Sequence, residues 1–247
     1  MNPSPINAQI LLYAKSLRLP TLRGYEQILR VSQDKQDTYE EFLLKILDTE
    51  YNSRQANQQR RRIKSAKFPF EKTLDEFDSS RLEHIPPNVI WELSACDYID
   101  KKQNIIMIGN PGTGKTHLAI ALGMKACHKG YDVLFSTAAN LAIQLGEAET
   151  QHKLSRLLKQ LNRIDLLILD ELSYLSFNKA QSELLFQVIS ERSERGSIIL
   201  TTNLEFSKWE EFFPDTMLTS ALIDRITYRS AILNMNGASY RLHKKTK

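Results

Sequence analysis

A glycine-rich run near the middle of the chain has the residue types and spacing of a phosphate-binding loop. Residues 109–116 read GNPGTGKT and match the pattern GxxxxGK followed by Ser or Thr. They follow the apolar segment 104–108 and open a segment with helical periodicity, which is the context that the pattern requires. Glycines let backbone N–H groups point inward at phosphates, and the helix N-terminus adds partial positive charge. The predicted nucleotide-binding residues are Gly109, Asn110, Pro111, Gly112, Thr113, Gly114, Lys115, Thr116 and His117.

Two carboxylates at the end of a later apolar run extend this candidate site. Residues 166–169 read LLIL and are followed by Asp170 and Glu171. Lys115 is expected to reach the β and γ phosphates, with Thr116 and Asp170 as the predicted ligands of Mg²⁺. Glu171 is then placed to polarise the water that attacks the γ-phosphate, a role that a simple phosphate binder does not need. The alternative is that the acidic pair caps the N-terminus of a helix.

A third polar residue follows another apolar run. Residues 198–202 read IILTT and are followed by Asn203. In a sheet where this run lies between the other two strands, Asn203 is near the γ-phosphate and holds the attacking water. The alternative is an asparagine that forms a turn or caps a helix before Glu205. The catalytic candidates at this point are Lys115, Glu171 and Asn203.

Short apolar runs alternate with helical stretches around these residues. Buried strands are predicted at 105–108, 133–135, 166–169 and 198–201. Helices are predicted at 115–128, 138–161 and 179–194, the second with a break near Gly146. This alternation predicts a three-layer α/β/α fold, in which helices cover both faces of a mostly parallel sheet.

The first 67 residues have a different pattern. Apolar residues at 39, 42, 43, 46, 47 and 51 have the spacing of an amphipathic helix, which a polar stretch extends to 64. Two shorter helices are predicted at 6–17 and 22–31, divided by a Leu-Pro-Thr stretch. Because Phe68 and Pro69 interrupt the helical pattern, we predict a helical N-terminal module over 1–67 and an α/β domain over 68–247.

Composition and cysteine usage exclude several protein classes. Hydrophobic residues make up 42% and charged residues 25% of the 247 positions, which is ordinary globular composition. No apolar run approaches the roughly 18 residues of a membrane span. The start of the chain does not resemble a secretory signal, so we expect a cytoplasmic protein with no membrane partner. Cys96 and Cys127 lack CxxC spacing and do not cluster with histidines, which predicts two reduced thiols and no zinc site.

The charge is distributed unevenly along the chain. Residues 1–67 carry a net charge of +5, residues 68–224 carry −7 and residues 225–247 carry +6. Basic ends around an acidic middle favour contact with a polyanion, because each Lys or Arg near a phosphate releases condensed counterions. Few aromatic residues interleave these charges, which favours a duplex backbone over a single strand. The candidate DNA contacts are Arg60, Arg61, Arg62, Lys64 and Lys67, with the tail residues Lys244, Lys245 and Lys247. The alternative is a solvated linker or helix face.

The loop, the acidic pair and Asn203 together resemble the Walker A, Walker B and sensor 1 motifs of an AAA+ ATPase. A narrower resemblance is to the IstB-type helper ATPases of bacterial insertion sequences, whose near relatives are the DnaC-type helicase loaders. It is carried by GNPGTGKTHLAIAL at 109–122, LILDELSY at 167–174, ERGSIILTTNL at 194–204, GASYRL at 237–242, FPFEKTLDEF at 68–77 and LIDR at 222–225. The likeness extends over essentially the whole chain.

The resemblance implies an ATPase that uses ATP and Mg²⁺, forms a homo-oligomer on double-stranded DNA, and recruits or stimulates a partner transposase. It also implies that ATP lies between subunits and that Arg225 reaches into the neighbour's site. A guanidinium there stabilises the charge of phosphoryl transfer. The alternatives are an ordinary surface arginine, or Arg229 in the same role. Because related ring-forming ATPases line their pore from the segment after the second strand, Lys153 and Arg156, with His152, are further candidate DNA contacts.

The sequence departs from the fuller AAA+ pattern after Arg225. Only 22 residues follow it, too few for a complete helical lid, so Arg241 is the candidate for the sensor arginine of a lid. A missing lid agrees with the helper and loader families and argues against mechanical unfolding activity. We therefore predict a DNA-dependent ATPase that acts as a transposition helper. The alternatives are a DnaC-type helicase loader, and an ATP-gated scaffold that coats DNA and whose hydrolysis is incidental.

Overall fold

The computed structural model describes residues 4–78, 82, 84–173, 176–193, 195–237 and 239–240. It divides the chain into two compact units, Met1–Arg61 and Arg62–Lys247. The tail residues predicted to contact DNA, and the candidate sensor arginine, lie outside the described residues. These are Arg241, Lys244, Lys245 and Lys247.

The first unit is helical, as the sequence predicts. Helix α1 spans Pro5–Ser16, a 3₁₀ helix spans Pro20–Gly24, α2 spans Tyr25–Asp34 and α3 begins at Tyr39. A buried carboxylate fixes the 3₁₀ helix against α3. Glu50 accepts hydrogen bonds from the backbone N–H and the hydroxyl of Thr21, and from Nε of Arg54. Charged acceptors make the stronger kind of hydrogen bond, so this cluster holds the two helices together.

Helix α3 runs from Tyr39 to Ala66 and crosses the division between the two units. It ends just before the predicted break at Phe68, where Lys67 has a left-handed backbone with φ of 58°. Ala66 is fully buried in a core of the second unit, and Ile63 packs against that core. The compact second unit therefore begins inside the helix, because the last helical turn contributes side chains to its core.

The second unit is built on a five-stranded sheet in which all strand pairs are parallel. The strands are β1 Asn104–Ile108, β2 Val133–Thr137, β3 Leu166–Asp170, β4 Ser197–Thr202 and β5 Ser230–Asn234. Their order is β2-β3-β4-β1-β5, so β4 lies between β1 and β3, as the predicted role of Asn203 requires. The sequence pattern did not predict β5, because its apolar part, Ala231–Leu233, is too short to stand out.

Helices cover both faces of the sheet, as predicted. They are α4 Pro87–Ser94, α5 Asp97–Asp100, α6 Lys115–Lys129, α7 Ala138–Thr150, α8 Leu154–Leu161, α9 Lys179–Arg192 and α10 Thr216–Thr227, with a 3₁₀ helix at Phe206–Glu211. Successive strand residues point to opposite faces. In β3, Leu166 and Ile168 join the core that contains α6, whereas Leu167 and Leu169 join the core that contains α7 to α10. The three-layer arrangement places the start of α6 beside the carboxyl ends of the strands.

The helix predicted over 138–161 is two helices, and the predicted break at Gly146 is wrong. Gly146 lies inside α7. The chain turns instead at His152, which has φ of 55°, and the N–H groups of His152 and Lys153 bond back to the carbonyls of Glu149 and Ala148. A left-handed residue ends α7 in the way that glycine commonly ends helices. No glycine marks the turn, so the sequence pattern did not reveal it.

Both cysteines are buried free thiols. Burial raises the pKa of Cys96, and it raises the pKa of Cys127 to about 12. Within the described part of the chain, no group of three His, Cys, Asp or Glu side chains could hold a metal ion. None of the described helices has the length and apolar content needed to cross a bilayer.

Candidate functional site

The phosphate loop joins β1 to α6, and its backbone requires glycine at two positions. Gly112 and Gly114 have φ of 82° and 92°, in the left-handed region that favours glycine. Nζ of Lys115 donates to the carbonyls of Gly109 at 2.6 Å and of Asn110 at 2.8 Å. The Lys115 side chain is nearly buried, so these bonds brace the loop from within.

Three side chains from three elements meet beside this loop. Thr116, on the first turn of α6, donates to Asp170 at the end of β3, with both carboxylate oxygens 3.0 Å from its hydroxyl. Thr201 of β4 donates to Oδ1 of Asp170 at 2.5 Å. The strands β3 and β4 are paired, with Leu169 opposite Leu200, so their ends are adjacent. Burial raises the pKa of Asp170, and the hydrogen bonds from Thr201 and Thr116 oppose that rise.

Glu171 follows β3 in a conformation that is uncommon for a residue other than glycine. Its φ is 57°, and its N–H donates to Oγ1 of Thr201 at 2.9 Å. A left-handed backbone costs such a residue about 1–2 kcal/mol. This turn leaves the Glu171 side chain exposed at the edge of the sheet. The helix that follows, α9, is capped by Asn178, so the acidic pair is not a helix cap.

Asn203 follows β4 at the same edge of the sheet. Its N–H donates to Oγ of Ser173 at 3.0 Å, which ties it to the turn after β3. The 3₁₀ helix that follows has Glu205 as its cap residue, so Asn203 does not cap a helix. Asn203 lines the same cleft as Glu171 and Lys115. The structure therefore brings these three catalytic candidates together.

The cleft has a volume of about 430 Å³. Small-molecule sites commonly measure about 300–1,000 Å³, so the cleft has the size of a ligand site. Six of the predicted nucleotide-binding residues line it, and both predicted metal ligands are beside it. The six are Pro111, Gly112, Gly114, Lys115, Thr116 and His117. Gly109, Asn110 and Thr113 belong to the loop without lining the cleft, and Thr113 Oγ1 donates to the Asn110 carbonyl at 2.9 Å.

Several residues that line the cleft received no role from the sequence. They are Pro69, Phe70, Lys72, Phe135, Thr137, Thr201 and Tyr240. Four of them lie within FPFEKTLDEF or GASYRL, two strings that carry the family resemblance. Neither string has a pattern that indicates phosphate chemistry. The family resemblance was therefore the sequence signal that could have found these four residues.

His117 connects the start of α6 to the segment before α4. Its Nε2 lies 3.2 Å from the carbonyl oxygen of Thr73, and its ring meets the Phe77 ring edge-on with centroids 5.3 Å apart. Burial lowers the pKa of His117, which favours the neutral ring at neutral pH. A neutral His117 with its proton on Nε2 donates to Thr73 and holds this wall of the site.

The two arginine candidates lie on and after α10. Arg225 is exposed, and its guanidinium carbon lies 5.5 Å from the centroid of the Phe186 ring. Arg229 is also exposed, and its guanidinium carbon lies 5.3 Å from the centroid of the Tyr228 ring. Neither arginine lines the cleft that the described residues of its own chain form.

The predicted DNA contacts have different environments. The exposed ones near the end of α3 are Arg60, Arg61, Lys64 and Lys67. Arg62 is half-buried, and its Nε lies 3.8 Å from a carboxylate oxygen of Asp132. At the start of α8, His152, Lys153 and Arg156 are exposed. The ion pair of Arg62 sets it apart from its neighbours, whose charges face solvent.

Comparison with known proteins identifies the family. A family profile described as "IstB-like ATP binding protein" matches residues 12–247. The chain belongs to this family. It is 40% identical over 222 residues to the "Insertion sequence IS21 putative ATP-binding protein" of Pseudomonas aeruginosa, covering 90% of this chain and 84% of that one. It is 38% identical over 234 residues to the counterpart from insertion sequence IS5376 of Geobacillus stearothermophilus, covering 94% and 93% of the two chains.

Solved structures share the fold of this IstB-like ATP-binding protein. AMPPCP-bound DnaA from Aquifex aeolicus superposes with a TM-score of 0.57 at 23% identity, over 68% of this chain and 51% of that chain. The chain therefore spans about half the length of that DnaA. DnaI superposes with a TM-score of 0.54 at 16% identity, over 68% of this chain and 89% of that chain. The predicted three-layer α/β/α fold with a mostly parallel sheet is confirmed.

Proposed function

We propose that the protein is an ATP-dependent, DNA-binding AAA+ helper of an insertion sequence. In this proposal it oligomerises on double-stranded target DNA and recruits or stimulates the partner transposase. The observation that carries its enzymatic part is a single cleft that holds Lys115, the Thr116–Asp170 contact, Glu171 and Asn203. Binding alone requires only the loop, whereas hydrolysis requires groups that position water opposite the γ-phosphate.

The donor set at the cleft fits magnesium. Thr116 and Asp170 offer hydroxyl and carboxylate oxygens, the hard donors that Mg²⁺ prefers, and they already lie within 3.0 Å of each other. The raised pKa of Asp170 reflects a carboxylate held in a buried position, where a cation stabilises its charged form. When bound, the ion neutralises charge that develops on the β and γ oxygens.

Glu171 and Asn203 supply the hydrolytic part of the mechanism. We assign to Glu171 the polarisation of the attacking water, because its carboxylate is at the cleft and its backbone is fixed through Thr201. Asn203 orients the same water from the neighbouring strand. Lys115 holds the β and γ phosphates in line with this attack.

Arg225 completes the site of a neighbouring subunit in this proposal. Its guanidinium is exposed, rests against Phe186 and does not line the cleft of its own chain. An arginine finger must project outward in this way if it is to act in trans. The ATP site then lies between subunits of a homo-oligomer, and hydrolysis depends on assembly.

Mixing two inactive variants tests this arrangement. Glu171→Gln and Arg225→Ala are each expected to hydrolyse ATP poorly. In a random one-to-one mixture, about a quarter of the sites combine an intact Glu171 with an intact Arg225 from the neighbour, so about a quarter of the wild-type rate returns. No recovery would refute action in trans by Arg225. The same mixture with Arg229→Ala tests the alternative arginine.

Duplex DNA is the proposed platform for assembly. The exposed cations of α3 and α8 carry this assignment, because phosphate contacts give binding that weakens with salt. Replacing Arg61 by Ala is expected to reduce the slope of log affinity against log salt by about one. The matched control is Arg62→Ala, because Arg62 already pairs with Asp132 and is expected to change the slope less.

The direct test is particle size and ATP hydrolysis with and without duplex DNA. Light scattering in ATP, ADP or no nucleotide is expected to show assembly on DNA only with ATP, and duplex DNA is expected to accelerate hydrolysis. A monomer that ignores both nucleotide and duplex would overturn the proposal. Retention of the partner transposase on an affinity column loaded with the assembled protein tests recruitment, and retention of a replicative helicase alone would favour a helicase loader.

A further inference from the structure

The segment after β5 folds back across the phosphate loop. We call its described residues, 235–237 and 239–240, the strap. Met235 N–H donates to the carbonyl of Ile108, the last residue of β1, at 2.6 Å. A Cβ atom on Gly109 would lie 2.5 Å from the carbonyl carbon and oxygen of Met235. The backbone of the strap and the backbone of the loop are therefore in direct contact at the start of the loop.

Two further strap residues contact the loop. The N–H of Asn110 donates to Oδ1 of Asn236 at 3.1 Å. A Cβ on Gly112 would lie 2.3 Å from Oγ of Ser239. Because glycine is already required at Gly112 by its φ of 82°, the absent side chain also makes the room that Ser239 occupies.

Tyr240 makes the contact that reaches beyond the loop. Its backbone N–H donates to the carbonyl of Gly112 at 2.9 Å. Its hydroxyl donates to the carbonyl of Asp78, in the segment before α4. Between these two ends, a Cβ on Gly114 would lie 3.8 Å from Cε2 of Tyr240 and 3.0 Å from Cε2 of Phe77. One residue therefore connects the phosphate loop to the segment that carries Phe77.

Tyr240 also borders the nucleotide cleft itself. It lines the cleft together with Lys115, Thr116 and the two candidate water-positioning residues. Phe70 and Lys72, which belong to the same pre-α4 segment as Asp78, form another part of its lining. The hydrogen bond from Tyr240 to Asp78 therefore ties this part of the lining to the phosphate loop.

We infer that Tyr240 is a positioning residue for the nucleotide. Its backbone N–H donates to the Gly112 carbonyl and its hydroxyl donates to the Asp78 carbonyl. These two hydrogen bonds keep the loop and the pre-α4 segment at the separation that a bound nucleotide requires. The inference deepens the proposed function, since it rests on the cleft being the ATP site. Holding a site in its bound geometry raises affinity, because binding then does not have to order the chain.

The test compares two tyrosine hydroxyls in the full-length protein. Tyr240→Phe removes the hydrogen bond to Asp78 and keeps the ring and the backbone N–H. The matched control is Tyr131→Phe, which removes a hydrogen bond of 2.8 Å to Asp100 just beyond the far end of α6. Both variants lose one hydroxyl from the same unit, but only one loses it at the cleft.

Titration with mant-ATP without DNA gives the dissociation constants. Tyr240→Phe is expected to raise the dissociation constant about threefold to tenfold, the equivalent of one net hydrogen bond. Tyr240→Ala should raise it further, and Tyr131→Phe should stay within twofold of wild type. In steady-state hydrolysis, KM should rise for Tyr240→Phe while kcat stays within twofold, since the hydroxyl that is removed donates to the Asp78 carbonyl.

Two results would overturn the inference. One is a Tyr240→Phe dissociation constant within twofold of wild type, and the other is an equal weakening by Tyr131→Phe, which would indicate general destabilisation. Tyr240→Phe carries the test even where Tyr240→Ala does not fold. Wild-type protein that binds mant-ATP but shows no response to duplex DNA would refute the proposed helper function and leave this comparison valid.

Discussion

Polar side chains are buried at the amino edge of the parallel sheet, where the strands begin, and at the carboxyl edge, where they end. The hydrogen-bond partners of these side chains differ between the two edges. At the carboxyl edge, Asp170 bonds to two other side chains, Thr116 and Thr201, beside an open cleft. At the amino edge, buried polar side chains bond to backbone carbonyls and N–H groups instead. Arg192, at the end of α9, is 1% exposed and donates to the carbonyls of Leu161 and Ser197, the latter at 3.1 Å.

Asn104 and Ser197 complete the amino edge. Asn104 Nδ2 donates to the carbonyl of Ile226 at 3.1 Å, and its Oδ1 accepts from the N–H of Ile198 at 3.0 Å. Ser197 Oγ donates to the carbonyl of Tyr98 at 3.0 Å. These side chains satisfy backbone groups where strands and helices begin or end, which would otherwise be costly to bury.

A buried polar residue therefore does not by itself indicate a functional site. Burial lowers the pKa of Arg192 to about 10, and burial raises the pKa of Asp170, so both groups are perturbed. The pKa of Arg192 still leaves it charged at neutral pH. The distinguishing feature is the cleft, because Asp170 and Lys115 line it and can reach a ligand there, whereas Arg192 bonds to backbone carbonyls and does not line it.

The largest effect is expected at the carboxyl edge. Glu171→Gln removes the proposed general base and should lower kcat for ATP hydrolysis by about 10²–10⁴-fold, with little change in the dissociation constant of ATP. Steady-state hydrolysis and nucleotide titration measure the two quantities. Glu205→Gln is the control, because Glu205 is an exposed acid that follows β4 without lining the cleft. Equal losses in both variants would contradict the assignment of Glu171.

At the amino edge, the expected effect is on stability alone. Arg192→Met leaves the carbonyls of Leu161 and Ser197 without their donor, and should lower the free energy of unfolding by about 2–4 kcal/mol. Denaturant unfolding measures this change, with the exposed Arg195→Met as control. ATP affinity of the folded variant should equal that of wild type. A selective loss of ATP affinity would remove the distinction between the edges.

Thr201→Val tests the carboxyl edge with nearly constant side-chain volume. It removes the hydroxyl that bonds Asp170 and accepts from Glu171, and should weaken Mg²⁺-dependent ATP binding about threefold to tenfold. Burial raises the pKa of Asp170, so acidification protonates it and weakens metal-dependent binding at a higher pH than for an exposed aspartate.

Loss of the Thr201 hydroxyl should also shift the pH dependence of Mg²⁺-dependent ATP binding. The Thr201 hydrogen bond lowers the pKa of Asp170, so the valine variant should lose Mg²⁺-dependent binding at a higher pH than wild type. Titrations of ATP with and without Mg²⁺ across the acidic range measure the shift. A shift to lower pH would contradict the proposed role of the Asp170–Thr201 contact.

The smallest effect is expected from Ser197→Ala at the amino edge. The variant loses one hydrogen bond to Tyr98 and should be destabilised by about 1 kcal/mol, with unchanged ATP affinity and hydrolysis. Thermal unfolding and nucleotide titration check both parts. A change in kcat would show that the two edges are coupled through β4.

The sequence was sufficient for the elements with strong local signals. The loop at 109–116, the apolar run before Asp170 and the run before Asn203 each have a periodicity or motif that survives without tertiary context. From these, the parallel α/β fold and the grouping of the catalytic candidates at one edge follow from topology, because parallel strands end together.

The remaining features depend on contacts that leave no local pattern. Thr201 is one of two threonines at the end of a buried run, and nothing in the sequence indicates that it bonds Asp170. The turn at His152 contains no glycine, so helical periodicity predicted a helix through it. Arg192 resembles any basic residue in the last turn of a helix, and its burial comes from the surrounding packing.

The contact between Gly109 and the backbone of Met235 affects how a mutational scan of the loop should be interpreted. Alanine at Gly109 would meet main-chain atoms at 2.5 Å, which a side-chain rotation cannot relieve. Gly109 does not line the cleft. A scan scored by ATP hydrolysis would rank this position among the most sensitive, yet that sensitivity would report the fit between two distant parts of one chain rather than a ligand contact.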